Sequence, residues 1–333
     1  MYQFCTLFDK NYLLQGMTLY RSLLRNMTEF NLYVLCMDEI TYDTIHKFSQ
    51  PNLIPIRLAE IENDETRIVK ERTTHGQFCW VCQPLICFYV LSHFKVDMVT
   101  YLEADSMFFS DPAVLFRELE EFSASLAPHR YSPIYDFTKT AGKYCVHFNA
   151  FQNSEESQKI LDYWKNCCFK YQADKPLYFP GQLSLDDWPK KFKSVKEIQH
   201  LGAGVAPWNV QQYKINKTRE GLLVDDSPLL FYHYHNFSYC DDGSYDLGNY
   251  LLSKEVVDNV YKPYVKELFE TENWVRSFAP TFIYRKEKRR PRTLKEIIKA
   301  RIPDDILNYL VVIYRKLHGI YNVYSENYFR KDQ

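Results

Sequence analysis

Two carboxylates one residue apart, Glu103 and Asp105, stand where an apolar run stops abruptly. The segment reads Val99-Thr100-Tyr101-Leu102-Glu103-Ala104-Asp105-Ser106-Met107-Phe108, and apolar chain resumes at once. In extended chain, positions i and i+2 point to one side, so both acids would face one point in a cleft. Charges that close repel, and burying them is costly unless a cation compensates. A divalent metal is the simplest compensation, and oxygen donors suit Mg²⁺ or Mn²⁺. Such an ion can bridge two phosphates of a nucleoside diphosphate and stabilise it as a leaving group. Solvated loop acids are the competing reading, and the place directly after a buried strand weighs against it.

A second cluster, Leu229 to Asn236, carries His233 and His235 on alternate positions of a strand-like run. Neutral imidazole is a common metal ligand, so one of the two can complete a site with the acids. Histidines hydrogen-bonded among aromatic neighbours are the plainer alternative. The nine cysteines are odd in number and lack paired zinc-ligand spacing. Cys79 and Cys82 lie in an apolar helical run and read as buried, reduced core thiols.

The elements that must position these residues alternate. Gln3–Phe8, Asn31–Met37, Leu53–Ile56 and Met98–Leu102 read as strands, Tyr12–Arg25, Tyr42–Ser49 and Phe78–Phe94 as helices. Leu13, Met17, Tyr20 and Leu24 make one helix face, and Pro84 marks a kink or the true start of its helix. The expected fold class is therefore α/β, with a mostly parallel central sheet flanked by helices. Ligands in such sheets bind beyond the carboxyl ends of strands, which directs attention to the loops after Phe8, Met37 and Leu102. Later, Ser154–Tyr171 is a helix opened by an N-cap and acidic first-turn residues, Leu229–His233 a strand and Lys254–Glu270 a helix. From about Pro280 the composition changes. The expected organisation is a catalytic domain over 1–279 and a basic linker with an amphipathic helical tail over 280–333.

A length of 333 residues with 46% hydrophobic and 25% charged side chains is that of an ordinary globular chain. A formal charge of −1 gives no field for nucleic acid. Met1 leads at once into a strand, with no signal-peptide pattern and no apolar run of membrane-spanning length. The expected setting is cytoplasmic. Arg285 to Arg292 nevertheless holds six basic residues among eight, followed by an apolar stripe from Leu294 to Leu317. That pattern suits docking on the cytoplasmic face of an anionic membrane. A stripe packed on the domain, or on a second copy in a homodimer, is the alternative.

Taken in order, these pieces resemble the GT-A glycosyltransferases, most closely bacterial proteins similar to glycosyltransferase family 8. Phe4-Cys5-Thr6-Leu7-Phe8-Asp9-Lys10-Asn11-Tyr12-Leu13 resembles the first strand and nucleotide-binding loop, and Tyr101-Leu102-Glu103-Ala104-Asp105 the metal-binding Asp-x-Asp motif with Glu in first place. Leu185-Asp186-Asp187-Trp188-Pro189 and Ala206-Pro207-Trp208-Asn209 match further runs. Phe231-Tyr232-His233-Tyr234-His235 resembles the late His motif, with Asn236 where a glycine would stand. The resemblance implies a metal-dependent transferase moving a sugar from a nucleotide sugar, a UDP-sugar first of all, to a glycan or lipid-linked acceptor with retention of configuration.

By that resemblance Glu103, Asp105 and His233 hold Mn²⁺ or Mg²⁺. Thr6, Asp9, Tyr12, Arg72, Glu103 and Ala104 contact the donor. Asp105 and Gln182 stand at the reaction centre. Arg72 would assist leaving-group departure, a plain surface arginine being the other reading. Trp188 and Trp208 are either sugar platforms or core. Three departures stand out: Gly181 replaces an expected aspartate, and Cys145 and His147 lie where Asn-Val-Gly is usual. They motivate the alternative of a nucleotide-sugar-binding protein with weakened catalysis. A nucleotidyltransferase is disfavoured, since only Gly16 precedes Gly76 and no Gly-rich phosphate loop exists there.

Overall fold

The computed structural model describes residues 1–175, 178–282, 317 and 322–330. Its central sheet runs in the order β3 (Leu53–Arg57), β2 (Phe30–Cys36), β1 (Tyr2–Phe8), β4 (Met98–Leu102), β8 (Phe148–Gln152), β6 (Ala124–Pro128), β7 (Tyr144–Cys145). β9 (Val195–Glu197) adds to β6. The first four strands are parallel, β8 is antiparallel to β4 and β6, and β9 is parallel to β6. The fold class is the expected one.

Both faces of the sheet are covered, which is why the central strands are apolar without clean alternation. Phe4 and Phe8 of β1 point into one core with Leu13, Met17 and Tyr20 of helix α1 (Leu13–Asn26). Cys5 and Leu7 point into the other core, with Phe78, Cys82 and Ile86. Leu24, expected on the buried face of α1, is 46% exposed, and Leu23 is buried in its place. The helices that follow are α2 (Glu39–Phe48), α3 (Asp64–Glu71) and α4 (His75–His93). α4 runs through Pro84 and begins earlier than that proline. Its start is fixed by a reciprocal cap: the Thr74 hydroxyl accepts from Gln77 N, and the Gln77 side chain accepts from Thr74 N.

Ser154 caps the Glu155–Cys168 helix as expected. The helix expected over Lys254–Glu270 is Lys254–Val256, a wider π turn over Val257–Tyr261, then Lys262–Phe278. No described helix is long and apolar enough to cross a membrane. The basic run Arg285–Arg292 and the following stripe lie outside the described residues, Leu317 apart. The segment beyond it returns to the domain: Val323–Ser325 pairs with Ser244–Asp246, and Phe329 packs on Tyr245.

Candidate active site

β1 and β4 lie side by side in register, Phe4 opposite Thr100 and Cys5 opposite Tyr101. Parallel pairing brings both carboxyl ends to one edge, so Asp9 and Glu103 emerge there together. Asp9 is buried and locked by four groups, one of them the Tyr12 backbone N–H, which donates to Oδ1 at 3.3 Å. Asn11 donates its backbone N–H to Oδ1 at 2.9 Å and its amide to Oδ2 at 2.8 Å, and His75 Nε2 lies 3.0 Å from Oδ2. Thr6 is sealed inside β1, and Tyr12 stands half-exposed at the head of α1.

One face of α4 forms the wall of this edge. His75, Cys79 and Gln83 are four residues apart and therefore aligned. His75 holds Asp9, while Gln83 Nε2 donates to Glu103 Oε1 at 2.9 Å. Cys79, expected in the core, is only partly buried; burial, then the charges of Asp9 and Glu103, push its thiol up to about 12. Sequence reasoning missed this stripe because the helix is apolar nearly all round, so no period marked a face.

Glu103 and Asp105 are not on an extended segment. The chain turns at Ala104–Asp105 into β5 (Ser106–Phe108), so the two side chains diverge from the expected common direction. Glu103 goes to Gln83, whereas Asp105 Oδ1 sits 3.0 Å from His233 Nε2. Strand register explains the second contact: Phe231–His233 pairs antiparallel with β5, and His233 falls opposite Ser106. The Glu103 carboxyl is pushed up to about 8, by burial first and by the Asp105 charge second. Burial also works against Asp105, but the His233 charge and hydrogen bond hold it below its ordinary value. For His233 burial favours the neutral ring, and Asp105 outweighs it, raising the imidazole well above the usual range. The pair is a close imidazole–carboxylate contact that favours the protonated ring.

The expected Glu103–Asp105–His233 set is thus half assembled. Among the described residues, the metal-capable side chains with ligand atoms all within 4.8 Å of one another are Cys145, His147 and His233. Trp208 packs edge-on to both His233 and His235, with centroids 5.2 and 5.5 Å apart. Asn236, in the glycine's place, takes φ +63°, a left-handed conformation that asparagine tolerates.

The remaining expected residues have structural partners. Gln182 Nε2 donates to the Ala141 carbonyl at 2.7 Å. Asp186 accepts from Lys143 N at 2.8 Å, fixing the turn before β7. Arg72 is exposed, and its guanidinium donates to the Phe169 carbonyl. Trp188 is fully buried against Trp164 and Phe151, and Trp208 is buried with Nε1 donating to the His129 carbonyl at 3.0 Å. Both are core, not platforms. Gly181 has no room for the carboxylate: an added Cβ would stand 2.6 Å from Cys168 Sγ and 3.2 Å from the Tyr171 ring.

No family model matches the chain. It is 26% identical over 290 residues to the uncharacterised protein YfnD of Bacillus subtilis (strain 168), spanning 84% of this chain and 93% of that protein. YfnF of the same bacterium, also uncharacterised, is 28% identical over 247 residues, 70% of this chain and 81% of its own length. Among solved structures, the galactosyltransferase LgtC in complex with donor and acceptor sugar analogues superposes with TM-score 0.50. Its identity is 10%, over 80% of this chain and 95% of that chain. The bifunctional glycosyltransferase WbbM gives TM-score 0.50 at 11% identity, over 84% of this chain and 51% of its own. Identity this low speaks for architecture. The chain has the GT-A glycosyltransferase fold.

Proposed function

We propose that the protein transfers a sugar from a nucleotide-sugar donor, a UDP-sugar first of all, to a glycan or lipid-linked acceptor, with retention of configuration. The observation that carries this reading is the edge shared by β1 and β4. Asp9, Glu103 and Asp105 emerge there, held by His75 and Gln83 of α4 and by His233 of the strand beside β5. Three acids gathered at one strand edge repel, and a diphosphate would add to the repulsion without a cation.

The donor set fits a hard divalent ion, Mn²⁺ or Mg²⁺, held by Glu103, Asp105 and His233. Asp105 is kept ionised, while Glu103 stays protonated near neutrality and can release its proton when a cation arrives. When bound, such an ion supplies charge neutralisation for the diphosphate leaving group. Asp9, locked in one orientation, offers a carboxylate to the base or ribose. His233 orients Asp105, and Gln83 orients Glu103.

The alternative, a nucleotide-sugar-binding protein with transfer lost, is favoured by one feature: Gly181 offers no acid, and Gln182 is already engaged by Ala141. A panel of UDP-, GDP- and CMP-sugars, with and without Mn²⁺, separates the two. Release of UDP with sugar transfer or hydrolysis supports the enzyme; tight binding of UDP-sugars without turnover supports the alternative.

A further inference from the structure

Behind Asp105 the fold buries a second donor set, of which the proposed sugar transfer uses His233 alone. Cys145 ends β7, His147 immediately precedes β8, and His233 ends its strand beside β5. All three are shut from solvent, at 4%, 0% and 6% exposure. One ligand atom from each lies within 4.8 Å of the others. Among the described residues neither ring nitrogen of His147 has a hydrogen-bond partner, and the inner side of the His233 ring faces only the Cys145 thiol. A buried polar atom left unpaired is costly, and this one ring holds two.

The surroundings offer the His147 ring nothing else. The Trp208 ring lies 5.2 Å from His233 and 6.4 Å from His147, with its N–H already spent on the His129 carbonyl. The Phe231 ring closes another side of His147 at 5.5 Å. Gly204, at φ +80°, brings bare backbone against the imidazole, and an added Cβ would stand 2.4 Å from His147 Nε2. The chain is built closely around an imidazole that bonds to nothing.

We propose that Cys145, His147 and His233 form an inner site for a thiophilic divalent ion, Zn²⁺ by its chemistry, distinct from the oxygen-rich site at Glu103 and Asp105. One thiolate and two imidazoles favour Zn²⁺ over Mg²⁺ or Mn²⁺. Tetrahedral zinc with bonds of about 2.0–2.3 Å needs ligand atoms roughly 3.3–3.8 Å apart, so side-chain shifts on the order of 1 Å close the site. Three protein ligands leave the fourth position to water. On binding, the Cys145 thiol loses its proton to the buffer, and a protonated His233 releases its Nδ1 proton as well. Asp105 becomes the outer partner of a metal-bound imidazole: it holds Nε2 of His233 while Nδ1 turns inward, which fixes the tautomer and ring orientation. The inner ion therefore sets the direction of the Asp105 carboxylate, the two sites sharing one ring through its two nitrogens.

The test uses the full chain stripped with chelator and titrated with Co²⁺ as the probe. The expected result is one equivalent of Co²⁺ giving a thiolate-to-cobalt charge-transfer band in the near ultraviolet and the intense visible bands of a tetrahedral site. Zn²⁺ should displace it, and Mg²⁺ should not. Cys145→Ser should abolish the charge-transfer band, His147→Gln should weaken Co²⁺ binding at least tenfold, and Cys79→Ser should leave both unchanged. Should Cys145→Ser fail to fold, X-ray absorption at the zinc edge of the loaded wild-type chain decides, with one sulfur in the coordination shell expected. No thiolate band, a band that survives Cys145→Ser, or a shell without sulfur overturns the proposal. None of these readouts depends on transferase activity.

Discussion

Asp105 and His233, far apart in the chain, meet at 3.0 Å because the strand carrying His233 pairs with the strand that follows Asp105. The contact keeps a largely buried carboxylate charged at the strand edge. Asp105→Asn removes that charge and leaves the fold's hydrophobic packing intact. Loss of a charge worth several kcal/mol at the leaving group predicts a fall in kcat on the order of 10²-fold or more. Steady-state UDP release by the variant checks this, and near-wild-type turnover would remove Asp105 from the mechanism.

Gln83 acts on Glu103 from α4 and touches no substrate by this reading. Gln83→Leu keeps the side-chain volume and deletes the donor to Glu103 Oε1. Losing an outer hydrogen bond to a metal-binding carboxylate predicts Mn²⁺-dependent UDP binding weaker by about 10–100-fold. Calorimetry with and without Mn²⁺ measures it, and UDP affinity in EDTA should not change.

Restoring a carboxylate at Gly181 is expected to fail. The Cβ alone would stand 2.6 Å from Cys168 Sγ, so Gly181→Ala should cost about 1–3 kcal/mol through overpacking, and Gly181→Asp more. Urea unfolding of both variants reads this. Higher turnover in Gly181→Asp would instead place that side chain in the cleft.

His129 predicts an acid-side loss of stability. It is 3% exposed, and its Nδ1 is paired with the Gly142 carbonyl at 3.1 Å. Burial first, with His233 and His235 adding repulsion, pushes its pKa from 6.5 down to about 3. The folded state keeps the ring neutral, while the unfolded chain protonates it near pH 6.5. Its contribution is full above that value and declines as pH falls toward 3. Between pH 7.5 and 5.5 the stability gap between wild type and His129→Asn should shrink by about 1.4 kcal/mol. Denaturant titrations at both pH values test it, and a gap independent of pH would contradict the neutral buried ring.

We also propose that Arg285–Arg292 docks the protein on anionic membrane. The segment beyond it packs on the domain through Val323–Ser325, so truncation before Pro280 would damage the fold as well. Charge reversal is the cleaner probe. Arg289→Glu with Arg290→Glu should weaken co-sedimentation with phosphatidylserine vesicles, each basic residue contributing about 1 kcal/mol, and added salt should weaken the wild type. Equal binding by both proteins would leave the run a solvated linker.

The sequence by itself determined the alternating strands and helices and marked the point where β4 ends in acids. An apolar run that stops at Glu103 is a local signal, and hydrophobic periodicity reports which elements exist. It did not determine where those acids point. A turn of the backbone at Ala104–Asp105 sends one to Gln83 and the other to His233, and a turn is decided by what pairs on either side. Nor could it reveal the His75–Cys79–Gln83 wall, since α4 carries apolar residues on every side. The Cys145–His147–His233 cluster was beyond sequence reasoning for the same reason in stronger form. Its members come together only when β8 pairs with β4 and the Phe231–His233 strand pairs with β5. Strand register over long sequence separation is set by burial and hydrogen bonding of the whole sheet, so only the tertiary structure decides which side chains share a cavity.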